Sequence, residues 1–185
     1  MLSIMMILGL AACGSVATGS GADDAGAAAE SSSESSSQPS NPSARPGGAA
    51  VPEELNFTAE TIEGASFGGP SLAGKDAILW FWAPWCTECR REAPFVATSQ
   101  SENPEVRFVG VAGLGENSDM RDFVADYDVS GFEHLEDVDG SLWERFGVVQ
   151  QPAYAFVDDT GKIEVYRGAL GEDGIAERVA ALTGN

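Results

Sequence analysis

The chain has 185 residues, enough for one domain, and its 29 acidic residues against 10 basic ones give a formal net charge of −19 at pH 7. A surface of that sign repels nucleic acids and anionic lipid headgroups, so nucleic acid is not expected as a partner. The acidic residues are scattered rather than grouped, and we interpret them as serving solubility or a salty medium rather than binding.

The first predicted element is a signal peptide at residues 1–12. This apolar run ends in small residues and is too short to cross a bilayer as a stable helix. Leu10-Ala11-Ala12-Cys13 resembles the bacterial lipobox, and the resemblance implies cleavage before Cys13 and a lipid anchor on its thiol, at the outer face of the cytoplasmic membrane. Because no Lys or Arg precedes the apolar run, an ordinary signal peptide with an incidental cysteine is the alternative.

Residues 13–52 have the composition of a disordered tether. They are rich in Ser, Gly, Ala and Pro and contain almost no large apolar side chain. Such a segment cannot bury enough surface to offset the entropy of the chain. We therefore place the folded domain at residues 53–185. Its first part, residues 56–67, alternates apolar and polar on either side of Glu63-Gly64 and predicts a β-hairpin.

The next element is an apolar run from Ala77 that leads into two cysteines with two residues between them. We predict a buried central strand that feeds the N-terminus of a helix. Unpaired amides and the helix dipole favour a thiolate there, so Cys86 is the candidate nucleophile; Cys89, one turn on, can close a disulfide with it. Half of a zinc site is the alternative, but such sites need four ligands and only Cys13 and His134 remain. We expect no metal.

The segment from Phe81 to Cys89 resembles the active site of the thioredoxin superfamily, and Arg90 to Pro94 resembles its extracytoplasmic TlpA/ResA/DsbE-like branch. The resemblance implies a thiol-disulfide oxidoreductase of the cell envelope, with Cys86 as nucleophile and Cys89 as resolving cysteine. It also implies exported protein thiols or disulfides as substrates, a membrane redox partner, and no cofactor beyond the redox-active disulfide. A peroxidase is not expected, because the Pro-x-x-x-Thr-x-x-Cys context is absent before Cys86.

The rest of the chain fits the same fold. A second buried strand is predicted at residues 106–112, helices at 118–127 and 139–146, a hairpin from 153 to 168, and a last helix at 172–182. This order predicts an α/β, thioredoxin-like fold with a central mixed β-sheet flanked by helices and an N-terminal β-hairpin extension. His134 lies between these elements without a partner nearby in sequence, and we interpret it as a surface or loop residue.

A proline opens the predicted hairpin. By the resemblance, Gln151-Pro152 is the cis-proline loop, in which Pro152 lies against the cysteine pair and the backbone of Gln151 pairs with an extended substrate. Trp85, beside the nucleophile, is assigned to the same substrate-binding surface. A trans proline at a strand edge is the alternative, because most X-Pro bonds are trans.

Two positions bear on the direction of electron flow. Cytoplasmic thioredoxins carry a buried aspartate six residues before the first cysteine, and Trp80 holds that position here. Glu92 matches the acid of the Glu-x-Pro motif in ResA-like reductases and is a candidate acid or base; a favourable charge early in a helix is its alternative. We favour an oxidase or isomerase. The alternatives are a disulfide reductase in cytochrome c maturation and a module that holds a soft ion such as Cu(I).

Overall fold

The computed structural model describes residues 50–184. The predicted signal peptide, the lipobox with Cys13 and all but the last residues of the predicted tether lie outside these residues, so those assignments stay predictions. Within residues 50–184, no helix combines the length and the apolar character needed to cross a bilayer.

Seven strands and four α-helices make up the described part of the chain, together with two short 3-10 helices near its start. The strands are β1 Thr58–Glu60, β2 Ser66–Gly68, β3 Ala77–Trp82, β4 Arg107–Gly113, β5 Glu133–Asp137, β6 Ala153–Val157 and β7 Ile163–Arg167. The helices are α1 Thr87–Glu102, α2 Asn117–Asp126, α3 Ser141–Arg145 and α4 Gly171–Thr183.

Five strands form the central mixed sheet, in the order β5-β4-β3-β6-β7. The strands β3, β4 and β5 run parallel, whereas β6 is antiparallel to β3 and β7 is antiparallel to β6. All six residues of the central strand β3 are buried, as expected of a strand covered on both faces. The predicted thioredoxin-like fold is confirmed.

Successive side chains of β3 point to opposite faces of the sheet. On one face the rings of Trp80 and Trp82 pack on Phe123 of α2, at centroid distances of 6.2 and 4.2 Å. On the other face Phe81 packs on two aromatic rings, one from α3 and one that follows it. Since α1 and the active site follow β3 directly, this two-sided packing fixes the site on a rigid strand.

The predicted N-terminal hairpin is confirmed as the antiparallel pair β1–β2. It lies beside the edge of the central sheet, because Thr61 forms an isolated antiparallel bridge with Leu135 of β5. The backbone amide of Ile62 also donates to the carbonyl of His134, at 2.9 Å.

The structure contains a strand, β5, that the sequence does not predict. This strand carries three acidic residues in five positions, so it lacks the apolar run that marks β3 and β4. An edge strand tolerates such a composition because it is less enclosed than a central strand: Glu133 is exposed and Glu136 is half-buried. Its last residue, Asp137, also has a capping role: the carboxylate accepts the backbone amides of Leu142 and Trp143 at 2.9 Å each, at the start of α3.

Candidate active site

The two cysteines lie where β3 gives way to α1. Cys86 is the residue immediately before the helix, Cys89 lies in its first turn, and they are joined by a disulfide with a Cα–Cα distance of 5.3 Å. Cys86 is 5% exposed and Cys89 is 0% exposed. An incoming thiolate therefore has access to Cys86 and none to Cys89, which supports the predicted division of roles.

The sulfur of Cys86 is placed to carry negative charge. Its Sγ accepts a hydrogen bond from the backbone amide of Cys89 at 3.0 Å, as an N-cap side chain does. The amide and the helix dipole both favour a thiolate at Cys86. Glu88 brings a negative charge into the same turn, but Arg91 forms an ion pair with it at 2.5 Å on the exposed side of the helix.

Trp85 is 54% exposed, yet its indole is held in place. The Nε1–H donates to the backbone carbonyl of Leu114 at 2.8 Å. Leu114 follows β4 and has a φ of 56°, a left-handed conformation that is uncommon for a branched side chain. This hydrogen bond fixes an exposed indole on the residue that directly precedes the nucleophile.

Gln151 and Pro152 lie at the same end of the sheet as the cysteines, the end at which β3 finishes. The register pairs Phe81 with Ala153, so Pro152 comes level with Trp82, four residues before Cys86. The peptide bond between Gln151 and Pro152 is cis. The carbonyl of Pro152 accepts the amide of Gly168 at 2.9 Å, whereas no hydrogen bond within residues 50–184 engages the backbone of Gln151.

Four exposed apolar side chains lie in the loops at this end of the sheet, and we call them the apolar rim. They are Trp85, Leu114, Val138 and Val149, with exposed fractions between 45% and 84%. The first three follow the parallel strands β3, β4 and β5, and the fourth precedes the antiparallel strand β6. All four loops therefore lie at the same end of the sheet. The only other exposed large apolar residue in the described part of the chain is Val51.

Glu92 is buried, with 3% of its surface exposed, and it lies one turn after Cys89 on the buried face of α1. Its carboxyl group has three partners. Oε1 accepts the amide of Gly171 at 2.7 Å, Oε2 accepts the amide of Leu170 at 3.0 Å, and the hydroxyl of Tyr154 is hydrogen-bonded to Oε2. Glu92 therefore joins α1 to the start of α4 and to β6.

Tyr154 and Trp80 face each other across β3 and β6 in the layer beneath α1. Burial and the neighbouring Glu92 raise the pKa of Tyr154 well above 10. The Nε1 of Trp80 is buried and has no hydrogen-bond partner among the described residues. Trp80 thus supplies no base near Cys89, in agreement with the sequence interpretation, and Glu92 is the one carboxyl group that α1 buries.

The interpretation of His134 as a surface or loop residue is wrong. His134 lies in β5, is 1% exposed, and has both ring nitrogens engaged, Nδ1 with Trp82 at 3.2 Å and Nε2 with the carbonyl of Val129 at 2.8 Å. Its ring occupies the space that a side chain at Gly110 would need, since a Cβ built there would lie 2.0 Å from Nδ1. Desolvation by burial lowers the pKa of His134 to about 4.

The sequence interpretation also missed Tyr154 and Leu114 as parts of the site. Tyr154 stands in an apolar strand and Leu114 in a loop, and neither position carries a local signal, because their partners lie 62 and 29 residues away in the chain. Among the described residues, no group of three or more His, Cys, Asp or Glu side chains is arranged to hold a metal ion.

Comparison with known proteins places this site in context. Residues 48–166 match the AhpC/TSA family. The chain is 43% identical to the soluble secreted antigen MPT53 of Mycobacterium tuberculosis over 141 residues, which cover 75% of this chain and 81% of MPT53. It is 30% identical to the thiol-disulfide oxidoreductase ResA of Oceanobacillus iheyensis over 129 residues, which cover 68% of this chain and 67% of ResA.

Among solved structures, that of MTB dsbF in its mixed oxidised and reduced forms is similar to this chain. The two share 53% sequence identity and a TM-score of 0.71. The similarity covers 72% of this chain and 99% of dsbF.

Proposed function

The chain belongs to the AhpC/TSA family and is a thiol-disulfide oxidoreductase, and we propose that it exchanges disulfides with exported proteins outside the cytoplasmic membrane. The observation that carries this proposal is the Cys86–Cys89 disulfide at the N-terminus of α1, with the more exposed sulfur stabilised by a helix amide. The redox group is this disulfide, and the proposed reaction requires no other cofactor.

The chemistry of the oxidising direction begins when a substrate thiolate attacks Sγ of Cys86. The Cys86–Cys89 bond breaks, a mixed disulfide forms at Cys86, and Cys89 leaves with the electron pair and takes up a proton. A second substrate thiolate then attacks the substrate sulfur of the mixed disulfide. Cys86 leaves as a thiolate, which the amide of Cys89 and the helix dipole stabilise. The substrate loses two electrons and gains a disulfide.

The surface around Cys86 suits an unfolded, extended polypeptide. Trp85 and the rest of the apolar rim offer apolar contacts at the end of the sheet where the nucleophile lies. The unpaired backbone of Gln151, held beside Pro152, can form strand-like hydrogen bonds with a substrate segment. A chain leaving the export machinery exposes both its thiols and its apolar side chains, so it fits this surface.

We favour the oxidising or isomerising direction over reduction. Trp80 stands where a reductase of the thioredoxin kind has an aspartate to deprotonate Cys89, and its buried indole can only donate a hydrogen bond. Oxidation mainly requires that Cys86 be a good leaving group. Its N-cap position meets this requirement because the helix N-terminus stabilises the departing thiolate. Disulfide reduction of the ResA type is the second candidate, and the buried Glu92 one turn from Cys89 is the observation that favours it.

A soft-metal module is less well supported. A Cu(I) ion would need both cysteines as free thiolates, whereas here they form a disulfide, and His134 cannot add a further ligand because both its nitrogens are engaged in buried hydrogen bonds. Insulin reduction with dithiothreitol as the electron source tests the proposal, because an oxidoreductase accelerates the resulting precipitation and a metal module does not. A Cys86→Ser variant is the matched control; equal rates for the two proteins would contradict the proposal.

For location, we propose cleavage of the signal peptide 1–12 and attachment through a lipid on Cys13. The name of MPT53 describes a secreted protein, which supports an extracytoplasmic place for this chain. A tether over residues 13–52 would then let the domain reach both substrates and a membrane redox partner.

A further inference from the structure

The loop that follows β4 holds one residue in an uncommon backbone conformation. Leu114 has a φ of 56°, in the left-handed region that glycine and asparagine adopt more readily than leucine does. Within residues 50–184, the one other residue besides glycine with a positive φ is Asp128, and aspartate tolerates this region. A leucine keeps such a conformation only where the surrounding structure holds it there.

Tight packing on both sides of Leu114 fixes this loop. A Cβ built on Gly113 would lie 2.6 Å from the indole of Trp143. One built on Gly115 would lie 2.5 Å from Cγ of Pro84. The loop is therefore packed against α3 on one side and against the segment that carries the nucleophile on the other. These contacts leave the chain little freedom to turn the Leu114 carbonyl in another direction.

The carbonyl group held in this way accepts the Nε1–H of Trp85, at 2.8 Å. An exposed hydrogen bond adds little to the stability of a fold, since water can replace the lost partner. Its main effect is on the freedom of the indole, because Trp85 is largely exposed and without this bond its ring would sample several rotamers. A side chain that is already held in one orientation loses less conformational entropy when a partner binds it.

The held indole forms one wall of a groove between the active-site segment and α2, with a volume of about 360 Å³. Its other apolar lining residues are Pro84, Phe123 and Tyr127, and Arg90 and three aspartates of α2 complete the lining. Since Pro84 and Trp85 directly precede the nucleophile, a substrate segment that follows or precedes a reacting cysteine passes this groove. The orientation of the indole therefore sets the shape of the groove that such a segment meets.

We propose that Leu114 is a positioning residue for polypeptide substrates: its left-handed backbone directs a carbonyl group at the indole of Trp85 and so fixes the wall of the substrate groove before binding. The inference rests on the proposed function, because it concerns which substrates reach Cys86. It assigns the role to the backbone of Leu114 and not to its apolar side chain. A small disulfide that needs only the sulfur of Cys86 does not depend on this groove.

Two substitutions separate the backbone of Leu114 from its side chain. Leu114→Ile keeps the apolar volume, but a β-branched residue disfavours the left-handed conformation. Leu114→Asn removes the apolar side chain, yet asparagine adopts this conformation readily. A role of the backbone and a role of the side chain therefore predict opposite orders of activity for the two variants.

Two further variants complete the set. Trp85→Phe keeps an aromatic ring beside the nucleophile but removes the N–H that the Leu114 carbonyl accepts. It is also combined with Leu114→Ile in a double variant. Val51→Ala is the control, because Val51 is exposed and lines neither the groove nor the apolar rim.

The test uses the full-length protein and two substrates. The oxidised protein is mixed with an excess of reduced, unfolded ribonuclease A, and the rate at which its disulfide is consumed is measured over a range of polypeptide concentrations. The reduced protein is mixed with 5,5′-dithiobis(2-nitrobenzoate), whose first release of thionitrobenzoate reports attack by Cys86. Proton–nitrogen NMR records the indole N–H signal of Trp85, which is identified by its loss in Trp85→Phe.

We expect Leu114→Ile and Trp85→Phe each to raise the half-saturating polypeptide concentration by about fivefold, in the range expected for the loss of one neutral hydrogen bond. The rate with the small disulfide should fall far less. Leu114→Asn should raise that concentration by about twofold, because it loses only an apolar contact, and should keep the indole signal that Leu114→Ile shifts. The double variant should be no worse than Trp85→Phe, since Leu114 acts through the indole N–H. Val51→Ala should match the wild type.

A Leu114→Asn variant that binds the polypeptide more weakly than Leu114→Ile would overturn the inference, because the side chain would then be the cause. So would a Leu114→Ile or Trp85→Phe variant that binds the polypeptide as the wild type does, or a double variant whose losses multiply. Thermal unfolding shows whether each variant is folded. If the wild type neither oxidises the polypeptide nor releases thionitrobenzoate, the proposed function itself fails, whereas an active wild type with any of these other results overturns only the role of Leu114.

Discussion

The indole nitrogen of Trp82 donates a hydrogen bond to Nδ1 of His134 across 3.2 Å in the core beneath the active site. Because an indole can only donate, Nδ1 must be unprotonated, and Nε2 then carries the hydrogen that is donated to the carbonyl of Val129. The neutral imidazole is therefore part of the packing that supports β3. A second proton on the ring would break the bond to Trp82.

The first prediction concerns stability against pH. Burial lowers the pKa of His134 to about 4 from 6.5, so between these values the unfolded chain binds a proton that the folded protein does not. The contribution of His134 to stability is complete above about pH 6.5 and is lost as the pH falls towards 4. The loss is on the order of 3 kcal/mol. Urea unfolding at a series of pH values measures it.

A His134→Gln variant supplies the control, because the chain has no other histidine. The carboxylates titrate alike in both proteins, so the difference between their unfolding free energies isolates the imidazole. That difference should shrink as the pH falls from 6.5 to 4. Curves that stay parallel over this window would show that His134 is not held neutral.

The second prediction concerns the two cysteines. Cys86→Ser should abolish thiol-disulfide exchange, because it removes the attacking and attacked sulfur. Cys89→Ser should accumulate mixed disulfides with envelope proteins, since nothing within the site then resolves them. Non-reducing gels of cells that express each variant detect these adducts. If mixed disulfides form with Cys86→Ser and none form with Cys89→Ser, then Cys89 is the nucleophile and Cys86 is the resolving cysteine.

The third prediction concerns Trp85. Trp85→Ala should lower the rate with an unfolded, reduced polypeptide by about tenfold, or about 1.4 kcal/mol, because aromatic side chains are among the interface residues whose loss costs more than about 1 kcal/mol. The rate with a small aromatic disulfide should change much less. Val51→Ala is the matched control, because Val51 is also exposed but is not part of the apolar rim. Its neighbours Ala50 and Pro52 lie beside Gly161, in the turn between β6 and β7. Equal losses with both substrates would argue against a polypeptide-binding role.

The fourth prediction concerns the anchor. Cys13→Ala should either release the protein from membranes or leave its signal peptide uncleaved, because the lipid on Cys13 is the proposed attachment. Membrane fractionation with a blot against the folded domain distinguishes these results. A Cys13→Ala protein that is cleaved and still membrane-bound would remove the lipid anchor from the account.

The sequence was sufficient to predict the parts of the fold that depend on local patterns. The run from Ala77 to Trp82 is uniformly apolar and the Cys86 pair opens a helix, so both the buried strand and the position of the nucleophile were predictable. The pairing of β1 with β2 followed from alternation around a tight turn.

What the sequence did not reveal depends on contacts between distant residues. The strand β5 forms because it pairs with β4, and His134 is buried against Trp82 of β3. The sequence of this strand is acidic and by itself predicts a loop. Likewise Glu92 was recognised by its spacing from Cys89, but its partners at Tyr154 and Gly171 come from β6 and α4. No periodicity within one element can indicate such a network.

The central claim is that the Cys86–Cys89 couple oxidises or isomerises its substrates, and the reduction potential of this couple tests it most directly. Equilibration with glutathione or dithiothreitol buffers, followed by alkylation of free thiols, gives the value. We predict a potential nearer to that of DsbA, about −120 mV, than to that of thioredoxin, about −270 mV. A potential near that of thioredoxin would contradict the claim, and a Glu92→Gln variant slowed in reduction far more than in oxidation would then identify the protein as a reductase.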